Sequence, residues 1–190
     1  MEFHQVLENI KGYVLNYFEQ QRDKDLVYHD LKHTKTVVSN ATLIANQYQL
    51  NDEDFFVVIA AAWLHDIGYF IDKLNHEEAG ATAANDILKQ FNVSAALIEK
   101  VKGSIIATQI PQKPKNLLEE IVCDADLFHL GTEQFPDRSK LLRKEIELIK
   151  NITFDKKQWR QKNIEMLQSH SYFTDYAKVL LNNQYQKKSG

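Results

Sequence analysis

Residues 55–69 read FFVVIAAAWLHDIGY, a nearly unbroken apolar run that closes on a histidine and an aspartate. Together with Asn51 and Asp52, either of which can start a helix, the run predicts a helix that is apolar almost all round. Such a helix belongs at the centre of a bundle, where every face is covered. Phe55–Leu64 is too short to cross a bilayer. Gly68, just past the dipeptide, is well placed to end the helix.

Outward from this centre the apolar spacing stays helical, and no stretch alternates as a half-buried strand would. Upstream, Val37, Ala41, Ile44 and Tyr48 form one stripe, and a step of four back from Val37 lands on His33. That histidine therefore faces the core side of its helix. Downstream, Asn75 with Glu78 has the pattern of a capping box, opening a helix with Ala79, Ala83, Ile87 and Leu88 inward. Ser94 can cap the next, which turns Leu97, Ile98, Val101 and Ile105 to the core. After the proline-bearing loop 110–115, Asn116 and Glu119 form a second capping-box pattern before Leu118, Ile121, Val122, Ala125 and Asp126. Pro136 can open a further helix, and the remainder through Trp159, Ile164, Leu167 and Val179 also reads helical, with a frayed tail at QKKSG. The expectation is all-α and one domain.

Composition sets the outer limits. The chain has 190 residues with 44% hydrophobic and 26% charged side chains, enough for one sizeable core. Its 23 basic and 26 acidic residues give a formal charge of -3, which argues against a nucleic-acid polymer as partner, although a local pocket for a small phosphate is compatible. Cys123 is the only cysteine, so neither an internal disulfide nor a cysteine-based zinc site can form. The first residues mix Glu2, His4, Glu8 and Lys11 with apolar ones and do not read as a signal peptide. A cytoplasmic location without membrane association is expected.

Four polar residues fall on faces that the apolar pattern assigns to the interior: His33, His65, Asp66 and Asp126. Buried carboxylates are costly unless something positive compensates them. A divalent cation does so, and a set of imidazoles and carboxylates suits Mn, Fe, Co, Ni or Zn, with Mg also among the candidates. Taken singly, each residue has an ordinary structural reading; the combination is stronger because three helices point ligand-type groups inward.

The order His33, His65-Asp66, Asp126 is similar to the H…HD…D signature of the HD superfamily of metal-dependent phosphohydrolases. The contexts resemble it too: YHDLKHT at His33, AAAWLHDIGYF at the dipeptide, NHEEAGA at His76 and IVCDADLFHLG at Asp126. The resemblance implies an HD-domain helical bundle over the whole chain, with a motif core at about 28–131, C-terminal helices at 136–185 and a metal site between core helices. It implies His33, His65, Asp66 and Asp126 as metal ligands. Asp124 competes for the last place, and the helical stripe favours Asp126, four after Val122.

The same resemblance makes Asp66, His29 and His76 the catalytic candidates. His29 matches a general acid of related cyclic-nucleotide phosphodiesterases, a role an imidazole suits near neutral pH. His76 matches a residue that contacts phosphate or a second metal. With Thr108 and Lys73 it completes the candidate substrate contacts. The multi-histidine set of the dinuclear cyclic-di-GMP enzymes is missing, and Tyr69 stands where 5′-deoxynucleotidases of the superfamily carry Glu. The implied reaction is hydrolysis of a phosphate ester of a nucleotide or small phosphorylated metabolite. A nucleotide-binding sensor without turnover, or a di-iron oxygenase of the same fold, stays open. Apolar faces on the C-terminal helices are candidates for a homodimer contact.

Overall fold

A computed structural model describes residues 2–181. The described residues are helical without strands: α1 (Phe3–Gln21), α2 (Leu31–Ala45), α3 (Asp52–Leu64), α4 (His76–Gln90), α5 (Ala95–Ala107), α6 (Leu117–Asp126), α7 (Phe135–Lys150) and α8 (Lys156–Ser169). Short 3-10 turns cover Ile67–Phe70 and Phe128–Gly131, and residues 175–181 form a last helical segment. The tail QKKSG and the expected end of the C-terminal helices at 185 lie outside the described residues. No helix among the described residues is long and apolar enough to cross a membrane.

The apolar run behaves as its composition requires. Phe56 through Leu64 are all buried, and α1, α2, α5 and α6 pack around α3. One continuous core joins α1 to α6, including Ile10, Val37, Ile44, Phe56, Ile105 and Ile121. A second, smaller apolar cluster gathers Leu127, Leu130, Leu167, Tyr172, Ala177 and Leu181 around the C-terminal segments.

Local signals hold at some termini and fail at others. Asn51 caps α3 by accepting from Asp54 N–H at 2.8 Å. Asn116 caps α6 by accepting from Leu118 and Glu119 N–H, and the Glu119 carboxylate accepts from Lys115 N–H one residue further out than a capping box requires. Ser94 and Asn75 make no side-chain cap. The Asp72 carboxylate instead takes the N–H groups of Leu74 and Asn75 and the Asn75 side-chain amide, so Asn75 is turned away from the helix it precedes.

Gly68 also does something other than terminate α3. The helix ends at Leu64, and none of the described glycines has a positive φ. A Cβ on Gly68 would lie 1.9 Å from the His76 carbonyl oxygen and 2.5 Å from Gly80 N. The glycine is there so that the 3-10 turn can lie against the first turn of α4. That contact brings His76 to the end of α3.

Candidate metal centre and its cavity

His33, His65 and Asp66 each offer a ligand atom within 4.8 Å of one another, and all three are buried. Asp66 Oδ2 is 3.1 Å from His65 Nε2 and 3.4 Å from His33 Nε2. Asp126 joins them: its Oδ1 is 3.1 Å from His33 Nε2 and 3.7 Å from His65 Nε2. All four residues singled out as ligands in the sequence therefore converge. Asp124 does not; its buried carboxylate accepts from Phe173 N–H, Thr174 N–H and the Thr174 hydroxyl, which ties the C-terminal segment to α6.

The convergence follows from three helix ends. Asp30 caps α2 by accepting from His33 N–H at 2.8 Å, fixing the histidine in the first turn. His65 is the last residue with helical angles on α3, and Asp66, at φ -100 and ψ 0, turns the chain into the 3-10 segment. Asp126 closes α6. The break at Asp66 lets two adjacent side chains reach one point, where a continuing helix would hold them about 100° apart.

The atoms left bare suit a cation. His65 Nδ1–H donates to the Ala62 carbonyl at 2.9 Å, which leaves Nε2 with a lone pair. That Nε2 and Asp66 Oδ2 are buried 3.1 Å apart without a well-formed hydrogen bond to any group, and both face the same point. Orphaned buried polar atoms are rare because they are costly. Two imidazoles and two carboxylates fit a divalent transition ion, which would satisfy both. Without an ion the charges compensate one another. Burial disfavours the His65 imidazolium, yet Asp66 and Asp126 outweigh it and lift the pKa to about 9, while Asp66 is driven well below the carboxylate range by His65 and His29 against its own burial.

Beside this cluster a second group is built around His29, in the turn before α2. Its Nδ1 donates to the buried Glu145 of α7, and that carboxylate also accepts from Tyr28 N–H at 2.7 Å and His29 N–H at 3.0 Å. Burial pushes the His29 imidazolium down, but Asp66 and then Glu145 more than offset it, so its pKa is raised. The Tyr69 hydroxyl lies 3.2 Å from His29 Nε2. The Tyr69 ring packs against both His29, at 4.1 Å between centroids, and His76, at 3.8 Å, and the two histidine rings are 5.9 Å apart. His76 is pushed down by burial to about 4 and is neutral at ordinary pH. Arg138 of α7 braces the same turn, donating to the Tyr28 carbonyl at 2.9 Å with its guanidinium 4.1 Å over the Tyr28 ring.

These groups open into a cavity of about 520 Å³. Asp66, Asp126, His29 and His76 line it, as does Thr108, whose hydroxyl is turned to the Ile105 carbonyl at 2.7 Å. Lys73, a candidate phosphate contact by sequence, is a correction. Its ammonium is held by Asp23 at 2.6 Å and Asp25 at 3.5 Å, outside the residues that line this cavity. A loop lysine with two carboxylates in reach pairs with them first. Sequence reasoning missed Glu145, Arg138 and the stacking role of Tyr69. Only Glu145 left a signal: it lies three after Leu142 and one before Ile146, an acid on the apolar side of its helix.

Comparison with known proteins agrees with this geometry. The HD domain model matches residues 30–131. A solved structure described as a predicted HD superfamily hydrolase from an uncultured Thermotogales bacterium superposes with a TM-score of 0.62. It covers 92% of this chain and 84% of that one at 23% identity, a likeness of fold. No curated protein matches this chain.

Proposed function

This chain belongs to the HD-domain family, and from that premise we propose that it is a metal-dependent phosphohydrolase acting on a phosphate ester of a small, nucleotide-like metabolite. The observation that carries the reading is the pair of orphaned buried atoms, His65 Nε2 and Asp66 Oδ2, beside a histidine–carboxylate pair in one cavity. In this reading His33, His65, Asp66 and Asp126 hold the cation. A divalent cation there supplies Lewis-acid polarisation of a phosphoryl oxygen and acidifies water.

The protein's own groups account for the rest. Glu145 fixes the His29 ring through Nδ1, so Nε2 faces the cavity beside Tyr69. His29 is the general acid: water oxygen bonds to phosphorus, the ester P–O bond breaks, and the Nε2 proton passes to the departing alkoxide. Products are the free alcohol and phosphate. His76, kept neutral by burial, serves as a phosphate contact rather than the acid. At the first residue of α4 it stands where helix N–H groups also favour an anion.

The test is metal analysis of the purified protein with a phosphatase screen in Mn, Co, Ni and Mg, beside Asp66→Ala. Near-stoichiometric metal and turnover, both lost in the variant, are expected. Metal retained at full occupancy in Asp66→Ala would remove the ligand assignment, and metal without turnover would favour a sensor.

A further inference from the structure

The wall of the cavity opposite the metal cluster is supplied by α7 and α8, which lie beyond the residues matched by the family model. Its chemistry is unlike that of the metal end. Phe135, Leu142, Ile146, Trp159 and Met166 make it apolar and partly aromatic. Within it runs one polar chain: Trp159 Nε1–H donates to Ser139 Oγ at 2.9 Å, and Ser139 Oγ–H donates to Asn163 Oδ1 at 2.9 Å. With Oδ1 engaged, the amide orientation of Asn163 is fixed. Its Nδ2 donates to no group among the described residues, although Asn163 lines the cavity.

Charge on the same wall excludes a second kind of ligand. Lys162 is the one lysine or arginine lining the cavity among the described residues; it is exposed, with its ammonium 5.3 Å from the Phe154 ring. Glu77 and Glu165 line the cavity as well. A polyphosphate tail needs several cations or donors, and the cavity offers one such cation, Lys162 of α8, beside two acids, Glu77 of α4 and Glu165 of α8. A bare sugar needs a partner for each hydroxyl that gives up its water, and an apolar wall leaves most of them unpaired.

We propose that α7 and α8 are the specificity element of the site, and that they select a phosphate monoester whose alcohol carries a flat, largely apolar ring with a hydrogen-bond acceptor on its rim. The phosphate lies at the metal end, the ring lies against Trp159 and its neighbours, and Asn163 Nδ2–H donates to the rim acceptor. This rests on the phosphohydrolase reading for its phosphate end only.

The experiment measures kcat/KM for adenosine and uridine 5′-monophosphates, ribose 5-phosphate and adenosine 5′-triphosphate with the full chain in Mn. The better monophosphate is expected to exceed ribose 5-phosphate by about 100-fold, as desolvated ring and donor together allow, with the triphosphate below it. Asn163→Ala and Asn163→Asp should each lower the monophosphate-to-ribose-phosphate ratio about 10-fold, the effect of one lost hydrogen bond. A ratio cancels any loss of folded protein. Equal rates for the ring-bearing and ring-free esters, a preference for the triphosphate, or a ratio unchanged in both variants overturns the inference. Should no ester be turned over, the hydrolase reading fails by itself. Equilibrium dialysis of the same compounds then reads the wall: tighter monophosphate binding sustains it, and equal affinity overturns it.

Discussion

The helices α1 to α6 and the helices α7 and α8 are held by different forces. In α3 nine consecutive residues, Phe56 to Leu64, are buried, and all are apolar. In α7 the buried residues are Ser139 and Glu145, both polar, and in α8 the buried residue is Leu167. The first region is assembled by removal of apolar surface from water and needs no partner of particular identity. The second has only a small apolar cluster, which Leu167, Phe135 and Met166 join, and is tied down besides by specific polar contacts: Glu145 and Arg138 to the Tyr28–His29 turn, and Ser139 to Trp159 and Asn163. A region attached through its polar groups can shape a site without contributing much to the core. The difference separates a part of the molecule that builds the candidate metal cluster from a part to which the proposals above give positioning and selection.

The sharpest way to break that division is at the cluster itself. Asp66→Ala should abolish bound metal and reduce turnover by at least about 10³-fold, a loss seen by elemental analysis and a phosphatase assay. Retained metal would mean that Asp66 has been given the wrong role. Next in size, Phe56→Ala should cost about 3–5 kcal/mol in denaturant unfolding, because the side chain is fully buried and its neighbours can fill the space only in part. Leu142→Ala in the C-terminal wall should cost much less; equal losses would erase the contrast between the regions.

Glu145→Gln addresses the positioning role. It should lower kcat about 100-fold while metal content stays at the wild-type level. The sign of its pH effect follows from the pair. Burial opposes the His29 imidazolium, but Asp66 and Glu145 hold its pKa above the ordinary value, so the acid stays protonated until pH rises through that raised pKa. Removal of the Glu145 charge lowers the pKa, and the alkaline limb of the kcat profile should move to lower pH. A limb that moves upward, or no change in kcat, would return Glu145 to a purely structural role. The smallest effect belongs to Lys73→Ala. Its ion pairs with Asp23 and Asp25 lie outside the cavity, so turnover should stay within about 2-fold and stability within about 1 kcal/mol.

Periodicity was a sufficient guide wherever apolar burial made the decision. The stripe through Val37, Ala41 and Ile44 put His33 inward, the apolar run of α3 put His65 and Asp66 at a buried end, and the step from Val122 chose Asp126 over Asp124. Capping patterns were less reliable, since Asn75 and Ser94 compete with other acceptors and with water for a single bond of small net value. Lys73 stays a bare candidate by sequence for a related reason: the chain shows its charge but not the nearer carboxylates of Asp23 and Asp25.

The sequence by itself determined the helical class, the central helix and the inward direction of four ligand-type residues, because these depend on spacing along one chain and on the cost of placing polar groups in a core. The tertiary structure alone decided that Glu145 grips His29, that Tyr69 packs against both His29 and His76, that Gly68 admits the first turn of α4, and that α7 and α8 wall the cavity. Such pairings join residues as much as 116 positions apart through directional polar contacts, and no periodicity along the chain encodes which distant residue will answer.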